Sequence, residues 1–430
     1  MAFKKDFIWC AGGASAQQDG GYLDGGKGLS IWDPPFINGH IRNGEDNRVS
    51  CDHFHRWKDD LHLLKELGVN TYRFSVAPAR IYPSDEHTVN EQGIRFYVDL
   101  VTELHKLGIQ PMCTLYHWDM PMWLYKRGGW RSSLAVEWFE RYTKTVVDAV
   151  SDKVKYWITF NEPQCFIGMG YGTGEHAPFE KASADDMKSI SRNVMLAHGK
   201  AVKVIRENAR SAPLVSYAPT AGGLKMPSFV DEENIAYERS FDCSGGAFDT
   251  AWWSDPIVLG KAPKGCDWLS AEDLKTIHQP LDFYAYNIYN SQYLDKREPM
   301  GAPRTTMGWT MTPECMYWSA KFFYRRYGLP IMITENGMAN VDFVFSDGTV
   351  HDPQRSEYLR THIKQLKRAN DEGVPVIGYS CWSFLDNFEW AEGYAKRFGL
   401  VYVDYATQER IVKDSAYTYR DIIKTNGDKL

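Results

Sequence analysis

Two glutamates directly follow apolar segments that read as buried strands. Glu162 stands between Asn161 and Pro163 in WITFNEPQCF, and Glu335 stands in IMITENG. Ionised carboxylates avoid the protein interior unless a partner compensates their charge, so each glutamate needs a reason to be there. Two carboxylates that share one cleft cannot both ionise cheaply, and their pKa values separate to leave one acid and one anion. Cleavage of a glycosidic bond requires such a pair.

The alternative for either glutamate alone is an ion pair with a nearby arginine or lysine. Other strand ends carry groups that hydrogen-bond or stack, and together they favour a polyhydroxylated ligand. An aldolase would instead need a Schiff-base lysine at this position, and a kinase would need a phosphate-binding loop. The polar and aromatic residues at strand ends are Arg73, His117, Trp118, Asn287, Tyr289, Trp382, Glu389 and Trp390.

Eight apolar segments bounded by turn residues predict β-strands, and helical patterns lie between most of them. Clear helices are predicted over 52–68 and 356–373. Strands that alternate with helices predict a parallel sheet, and eight of them predict closure into a (β/α)8 TIM barrel of the α/β class. The predicted strands are 7–11, 70–75, 110–116, 156–160, 214–218, 282–289, 330–335 and 376–382.

No proline-rich linker, low-complexity tract or charge run divides the chain, so we expect one catalytic domain over residues 1–430. The active site of a TIM barrel lies at the C-terminal ends of its strands. Strands four and seven stand opposite each other across the mouth of such a barrel. Glu162 is therefore expected to face Glu335.

The formal net charge of −6 is spread along the chain without a basic block, which argues against nucleic acid or an anionic membrane as a partner. The first apolar run is too short for a signal sequence or a membrane span, and a cytoplasmic location is expected. The 8 cysteines form no CxxC pair and suit reduced thiols. Cys51, Asp52, His53 and His55 could form a metal cluster, but Asp52 is better explained as a helix cap.

Several motifs, in this order, resemble glycoside hydrolase family 1, the β-glucosidase family. The resemblance covers essentially the whole chain, from FIWCAGGASAQQDGG through YRFSVAPARI, TLYHWDMP, TFNEP, ITENG and WSFLDNFEWAEGYAKRFGL to RFGLVYVDYATQER. It implies a retaining exo-glycosidase, with β-glucosidase activity expected. The implied partner is a small-molecule β-glycoside, and no metal or organic cofactor is implied.

The same resemblance assigns roles to residues. Glu162 would be the general acid/base and Glu335 the nucleophile, supported by Arg73, Asn287 and Tyr289. Arg73 and Tyr289 are expected to lower the pKa of Glu335, whereas burial near an anion raises the pKa of Glu162. The sugar-binding residues would be Gln17, His117, Trp118, Asn161, Glu389 and Trp390, with Trp382 as the floor of the site.

The chain departs from the usual family pattern after Asn-Glu-Pro. Gln164 stands where tryptophan or another apolar residue is frequent. We expect it near the leaving-group (aglycone) subsite, where an amide would offer hydrogen bonds, or else in a loop that faces water.

The glycine-rich segment 168–176 lacks a correctly placed helix start and predicts a flexible loop at the barrel mouth rather than a nucleotide loop.

Two other functions are compatible with the pattern. A 6-phospho-β-glycosidase would need Ser, Lys and Tyr-like groups after the eighth strand, where this chain has Glu389 and Trp390. An anionic Glu389 would repel a phosphate and accept hydrogen bonds from free 4- and 6-hydroxyls. A non-catalytic sugar-binding relative would usually lack one of the two glutamates. The choice among gluco, galacto and fuco sugars stays open, and so does a homo-oligomeric state.

Overall fold

The computed structural model of the protein describes residues 2–263, 266–296, 298 and 300–430. Eight parallel strands within this part of the chain form one sheet and coincide with the eight predicted segments, the sixth being shorter than expected. The strands are β1 (Ile8–Gly12), β2 (Thr71–Ser75), β3 (Gln110–Tyr116), β4 (Tyr156–Asn161), β5 (Leu214–Ala218), β6 (Tyr284–Asn287), β7 (Ile331–Asn336) and β8 (Val376–Trp382).

The sheet curls into a barrel. Its strand order is β5-β4-β3-β2-β1-β8-β7-β6, so that the first and last barrel strands, β1 and β8, pair with each other. Main-chain hydrogen bonds bridge the remaining seam between β5 and β6, from Asp282 N to Val215 O (3.0 Å) and from Asn287 N to Pro219 O (2.9 Å). The predicted TIM barrel is confirmed, and it is nearly closed.

One main helix follows each barrel strand in the described part of the chain. α2, for example, buries Phe96, Leu100 and Leu104 at a spacing of one helical turn, so its apolar stripe covers the barrel. These helices are α1 (His53–Glu66), α2 (Glu91–Lys106), α3 (Ser133–Val150), α4 (Ala184–Asn208), α5 (Ala271–Ile277), α6 (Glu314–Tyr327), α7 (Pro353–Asp371) and α8 (Asp414–Lys424).

Shorter elements lie in the connecting loops. Among them are α-helices at Ser15–Gln18, Pro78–Ile81, Met122–Lys126, Glu233–Ser240 and Thr250–Ser254, and π-helices at Gln164–Thr173 and Asp255–Leu259. Two short strand pairs join Lys225–Met226 to Gln292–Tyr293 and Val401–Val403 to Arg410–Val412. Single 3-10 turns are formed by Asp24–Gly26, Arg42–Gly44, Gly129–Arg131, Val230–Glu232, Gly246–Phe248 and Trp390–Glu392.

The alternation of side chains along each strand separates the core from the site. On β2, Tyr72 and Phe74 belong to the large apolar cluster between the barrel and its helices. Because successive strand residues point to opposite faces, Arg73 between them points into the barrel. A smaller cluster that includes Met112 and Met332 fills the interior with apolar side chains. An arginine at this position needs buried partners, and the site supplies them.

Two local predictions are corrected by the structure. Asp52 occupies the N-cap position of α1, but its carboxylate binds the His55 and Arg56 side chains instead of capping a main-chain N–H. The glycine-rich segment is not a loop throughout, because the π-helix Gln164–Thr173 forms most of it.

Within the described residues, no helix combines the length and the apolar character that crossing a membrane requires.

Candidate active site

A cavity of about 430 Å³ opens at the C-terminal ends of the barrel strands. This volume lies in the range typical of small-molecule sites. Among the described residues that line it are five glutamates and neither lysine nor arginine. The predicted site residues in its wall are Gln17, His117, Trp118, Asn161, Glu162, Tyr289, Glu335, Trp382, Glu389 and Trp390. The tertiary fold therefore brings together side chains from both ends of the sequence.

Glu335 lies near the end of β7, where the ladder to β6 shifts register. Arg73 donates from Nη1 to Glu335 Oε1 at 2.6 Å, and Tyr289 donates from its hydroxyl to Oε2 at 2.8 Å. Arg73 is itself oriented by a hydrogen bond to the Thr334 carbonyl (3.0 Å). Donors bind both carboxylate oxygens, which favours the ionised form and fixes the direction of the side chain.

Glu162 follows β4 with a strained backbone, since its φ of 47° lies in the left-handed region. Asn287 donates from Nδ2 to Glu162 Oε1 at 2.8 Å. Trp118 and Trp390, which also line the cavity, have positive φ values of 79° and 51°. Sparsely populated backbone conformations of non-glycine residues concentrate at functional sites, and these three residues share one cavity.

The two central glutamates differ in what surrounds them. Burial, and then the charge of Glu335, raises the pKa of Glu162, against weaker effects of hydrogen bonds and of Arg73. Burial also raises the pKa of Glu335, although Arg73 and Tyr289 act in the opposite direction as expected. The expectation of a net decrease for Glu335 is therefore wrong, because burial outweighs both partners. A proton shared by the pair is best held on Glu162, which has no hydrogen-bonded cation.

Asn161 connects the two glutamates. Its Oδ1 accepts hydrogen bonds from Arg73 Nη2 (2.6 Å) and Asn287 Nδ2 (2.9 Å), which leaves the amide nitrogen for a ligand and for His117 Nε2 at 3.2 Å. Burial, and then Arg73, lowers the pKa of His117, so the imidazole is neutral. Trp118 lines the cavity, but its N–H is bound to the Asn161 carbonyl (2.9 Å) and is not free for a sugar.

Gln17 and Glu389 stand together in the cavity wall. The Gln17 amide nitrogen donates to the Phe388 carbonyl (3.0 Å) and to Asn387 Oδ1 (3.2 Å), whereas its Oε1 has no hydrogen-bond partner in the protein. Burial, followed by the charges of Glu335 and Glu162, raises the pKa of Glu389 to about 8. This shift disfavours the expected anion in the free site. Trp390 stacks on Trp118 with ring centroids 4.3 Å apart.

Gln164 does not face water, which was one of its two sequence-based predictions. Its side chain is buried and exchanges two hydrogen bonds with the main chain of Thr220, at 3.1 Å and 3.2 Å. It lies outside the described cavity wall, and it does not face water. The residue joins the loop after β4 to the chain after β5.

The alternative metal cluster near Cys51 is not formed. Cys51 Sγ donates to the Asp386 carbonyl, and His53 Nδ1 lies 2.8 Å from Asp60 Oδ2. Across the described residues, no group of three or more His, Cys, Asp or Glu side chains is arranged to hold a metal ion. Cys51 therefore connects two loops, and His53 pairs within helix α1.

The family model described as glycosyl hydrolase family 1 matches residues 1–428. The chain belongs to glycosyl hydrolase family 1. This confirms the resemblance read from the motifs, and it makes the protein an O-glycosyl hydrolase. Family 1 membership also agrees with a barrel that carries Glu162 directly after β4 and Glu335 near the end of β7.

Family 1 relatives align with the chain over its full length. Beta-glucosidase A of Thermotoga maritima is 39% identical over 99% of this chain and 98% of its own. The bifunctional beta-D-glucosidase/beta-D-fucosidase of Bifidobacterium breve is 36% identical over 98% of both chains. The solved structure of the Thermotoga maritima beta-glucosidase in complex with deoxynojirimycin is 38% identical, with a TM-score of 0.90 over 99% of both chains.

A second group of residues in the family 1 cavity is not predicted by the sequence patterns. These residues come from the loops above the strand ends, and no strand pattern marks them. The nearest signal is GEH at the end of the glycine-rich segment, where the pattern predicts only a flexible loop. The residues missed in this way are Cys165, Met169, Glu175, His176, Met307, Trp309, Ala391, Glu392 and Phe398.

Proposed function

We propose that this enzyme is a retaining, exo-acting β-glucosidase. It would hydrolyse the terminal non-reducing β-linked sugar of oligosaccharides or of small aryl and alkyl glycosides. The observation that carries the proposal is the pairing of Glu335, bound by Arg73 and Tyr289, with Glu162 in the same cavity. A sugar-binding protein has no need of this unequal carboxylate pair.

In the first step Glu335 attacks the anomeric carbon, and Glu162 gives its proton to the departing oxygen. A covalent glycosyl-enzyme forms as the glycosidic bond breaks. The Glu335 carboxylate then no longer carries a charge, so the pKa of Glu162 falls and Glu162 can accept a proton from water. That water attacks the anomeric carbon, releases the sugar with its original configuration and restores Glu335.

Sugar recognition would use the polar groups that the protein leaves unsatisfied. Gln17 Oε1 and the Glu389 carboxyl offer acceptors to adjacent hydroxyls. The amide nitrogen of Asn161 offers a donor near Glu335, where the 2-hydroxyl would lie. Trp382 and Trp390 provide aromatic surface for the apolar faces of the ring.

A cytoplasmic location is part of the proposal. All eight cysteines are unpaired thiols, and six of the eight are buried, where a thiol acts as a small apolar group. Free thiols persist in reducing compartments, whereas secreted proteins tend to form disulfides.

Proton NMR of an aryl β-glucoside during the first turnovers tests the proposal. Initial release of β-glucose is expected, because two displacements at the anomeric carbon preserve its configuration. Initial α-glucose would contradict the assignment of Glu335 as nucleophile. Glu335→Gln serves as the control and should fold but release no glucose. The same assay with aryl β-galactoside and aryl β-fucoside shows which of the three sugars the enzyme prefers.

A further inference from the structure

Six charged side chains form a buried network in the loops after β7 and β8 and at the starts of helices α7 and α8. We call it the six-charge network. Its members balance in charge, with three aspartates and three cations. Five of the side chains are completely buried, and the sixth, of Arg397, is 16% exposed. The members are Asp342, Asp352, Asp386, Arg355, Arg397 and Lys413.

Asp386 connects this network to the sugar-binding wall. Its Oδ1 accepts from Lys413 Nζ at 2.6 Å and from the Gly399 N–H at 2.8 Å, and its Oδ2 accepts from Arg397 Nη1 at 2.7 Å. The segment that follows, 387–390, supplies the three groups that accept from the Gln17 amide nitrogen, and Glu389 is one of them. Any shift of Asp386 would therefore move two polar groups of the wall together.

Lys413 connects Asp386 to the loop that follows the nucleophile strand. The same Nζ lies 2.6 Å from Asp342 Oδ2, which also accepts from Arg355 Nη2 at 2.6 Å. Arg355 donates from Nε to the Met338 carbonyl (3.2 Å), three positions beyond Glu335. Lys413 is thus the ammonium group placed between the two aspartates that belong to the two loops.

Such a network is a poor source of net stability, because removing six charges from water costs about as much as their attraction returns. What it provides is a fixed geometry, since every buried charge must keep its partners. The network joins the loop that carries Glu389 to the loop beyond Glu335. Its geometry therefore fixes where the sugar lies relative to the carboxylate that attacks it.

We propose that Lys413 is a positioning residue for recognition of the sugar. By bridging Asp342 and Asp386 it holds Glu389 and Gln17 at the distance from Glu335 that a bound sugar requires. The inference rests on the proposed β-glucosidase function and goes beyond it, because Lys413 touches neither substrate nor the reacting atoms. Lys413 is absent from the cavity wall and lies behind it.

The test compares two substrates that differ by one oxygen atom, 4-nitrophenyl β-glucoside and its 6-deoxy analogue. In Lys413→Met we expect kcat/KM for the glucoside to fall about 10- to 100-fold, as on loss of other groups that orient binding residues. The analogue lacks the hydroxyl that Glu389 is expected to bind, so its kcat/KM should fall much less. The glucoside preference then drops about tenfold.

A purely structural role for Lys413 would lower the amount of folded enzyme and leave this preference unchanged. Arg326→Met is the matched control, because it breaks a partly buried pair with Asp255 (2.5 Å) outside the cavity wall and should not alter the preference. If Lys413→Met does not fold, Asp342→Asn is tested in its place. This variant should lower the glucoside preference only about threefold, because Asp386 keeps its bonds to Lys413 and Arg397.

An active wild-type enzyme whose preference survives in the folded variant would overturn the positioning role and leave the proposed function intact. A wild-type enzyme that cleaves neither substrate would overturn the proposed function, and with it this inference. The two failures are therefore distinguished by the wild-type rate alone.

Discussion

Arg73 and Glu335 form a buried ion pair, with Nη1 and Oε1 2.6 Å apart and side chains only 2% and 5% exposed. The guanidinium also binds Asn161 Oδ1 and the Thr334 carbonyl, so its position does not depend on the glutamate alone. A cation held in this way favours the ionised form of the neighbouring carboxylate and opposes, without cancelling, the effect of burial on its pKa. The pair therefore determines at what pH the nucleophile becomes active.

Replacing Arg73 by Met should move the acid limb of the pH profile. Without the guanidinium, burial acts unopposed by a cation, so the pKa of Glu335 rises and the carboxylate is protonated at higher pH. We expect the acid limb of kcat/KM to shift to higher pH and its maximum to fall at least about a hundredfold. Arg192→Met, which breaks a pair with Asp273 elsewhere, is the control. An unmoved acid limb would refute the electrostatic role.

Replacing Glu335 by Gln should lower the pKa of Glu162. The charge of Glu335 is the second largest cause that raises this pKa, and glutamine removes that charge while keeping the shape. Carbon-13 NMR of the Glu162 carboxyl should show a decrease of about one pH unit or more. Burial still acts, so the value should stay above that of an exposed glutamate. The substitution Glu103→Gln, on helix α2 and outside the cavity wall, should leave the pKa of Glu162 unchanged. Equal pKa values of Glu162 in wild type and Glu335→Gln would show that the two groups are not coupled.

The enzyme should discriminate strongly against 6-phosphorylated glucosides. No lysine or arginine belongs to the described cavity wall, and a phosphate would lie among glutamates. The kcat/KM for 4-nitrophenyl β-glucoside should exceed that for its 6-phosphate by at least about a hundredfold. Glu389 need not be ionised for this result, because the described wall offers a phosphate no lysine or arginine in either state. Faster cleavage of the phosphorylated substrate would reverse the assignment.

Gly337, next to the nucleophile strand, should not tolerate alanine. A Cβ atom there would lie 1.9 Å from the Trp382 carbonyl oxygen. The oxygen is a main-chain atom and the Cβ is bonded to the main chain, so neither can move aside without a shift of the backbone. We expect Gly337→Ala to cost about 1–3 kcal/mol of unfolding free energy and to reduce activity by displacing Trp382. Thermal unfolding and kcat/KM measure both effects. Gly172→Ala, whose Cβ would meet only ordinary contacts at 3.5 Å and beyond, is the control; equal stability of the two variants would contradict the prediction.

The fold was predictable from local patterns. The segments around Trp157 and Ile333 are apolar runs bounded by turn residues, and in a parallel barrel such runs are buried on both sides. The two central glutamates were predictable too, because a carboxylate at the end of a buried strand needs either a charged partner or a chemical role. Strand β6 was predicted too long, over 282–289. The apolar pattern continues on both sides of the strand, but only Tyr284–Asn287 have strand structure.

Contacts between distant loops were not predictable. Gln164 was expected at the leaving-group subsite, yet its partner is the main chain of Thr220, which no pattern near Gln164 reveals. His176 lines the cavity although its segment carries no strand signal. Loops are positioned by what they pack against, and that information is spread over the whole chain.

The sequence by itself determined the barrel, the two glutamates at strand ends and the membership of family 1, because these depend on the order and type of neighbouring residues. Only the tertiary structure decided the charge states and the support of the site. Burial and the charges of glutamates far apart in the chain raise the pKa of Glu389, and Lys413 bridges loops that lie far apart in the chain. Electrostatic energies depend on distance and burial in three dimensions, and neither is written in the local sequence.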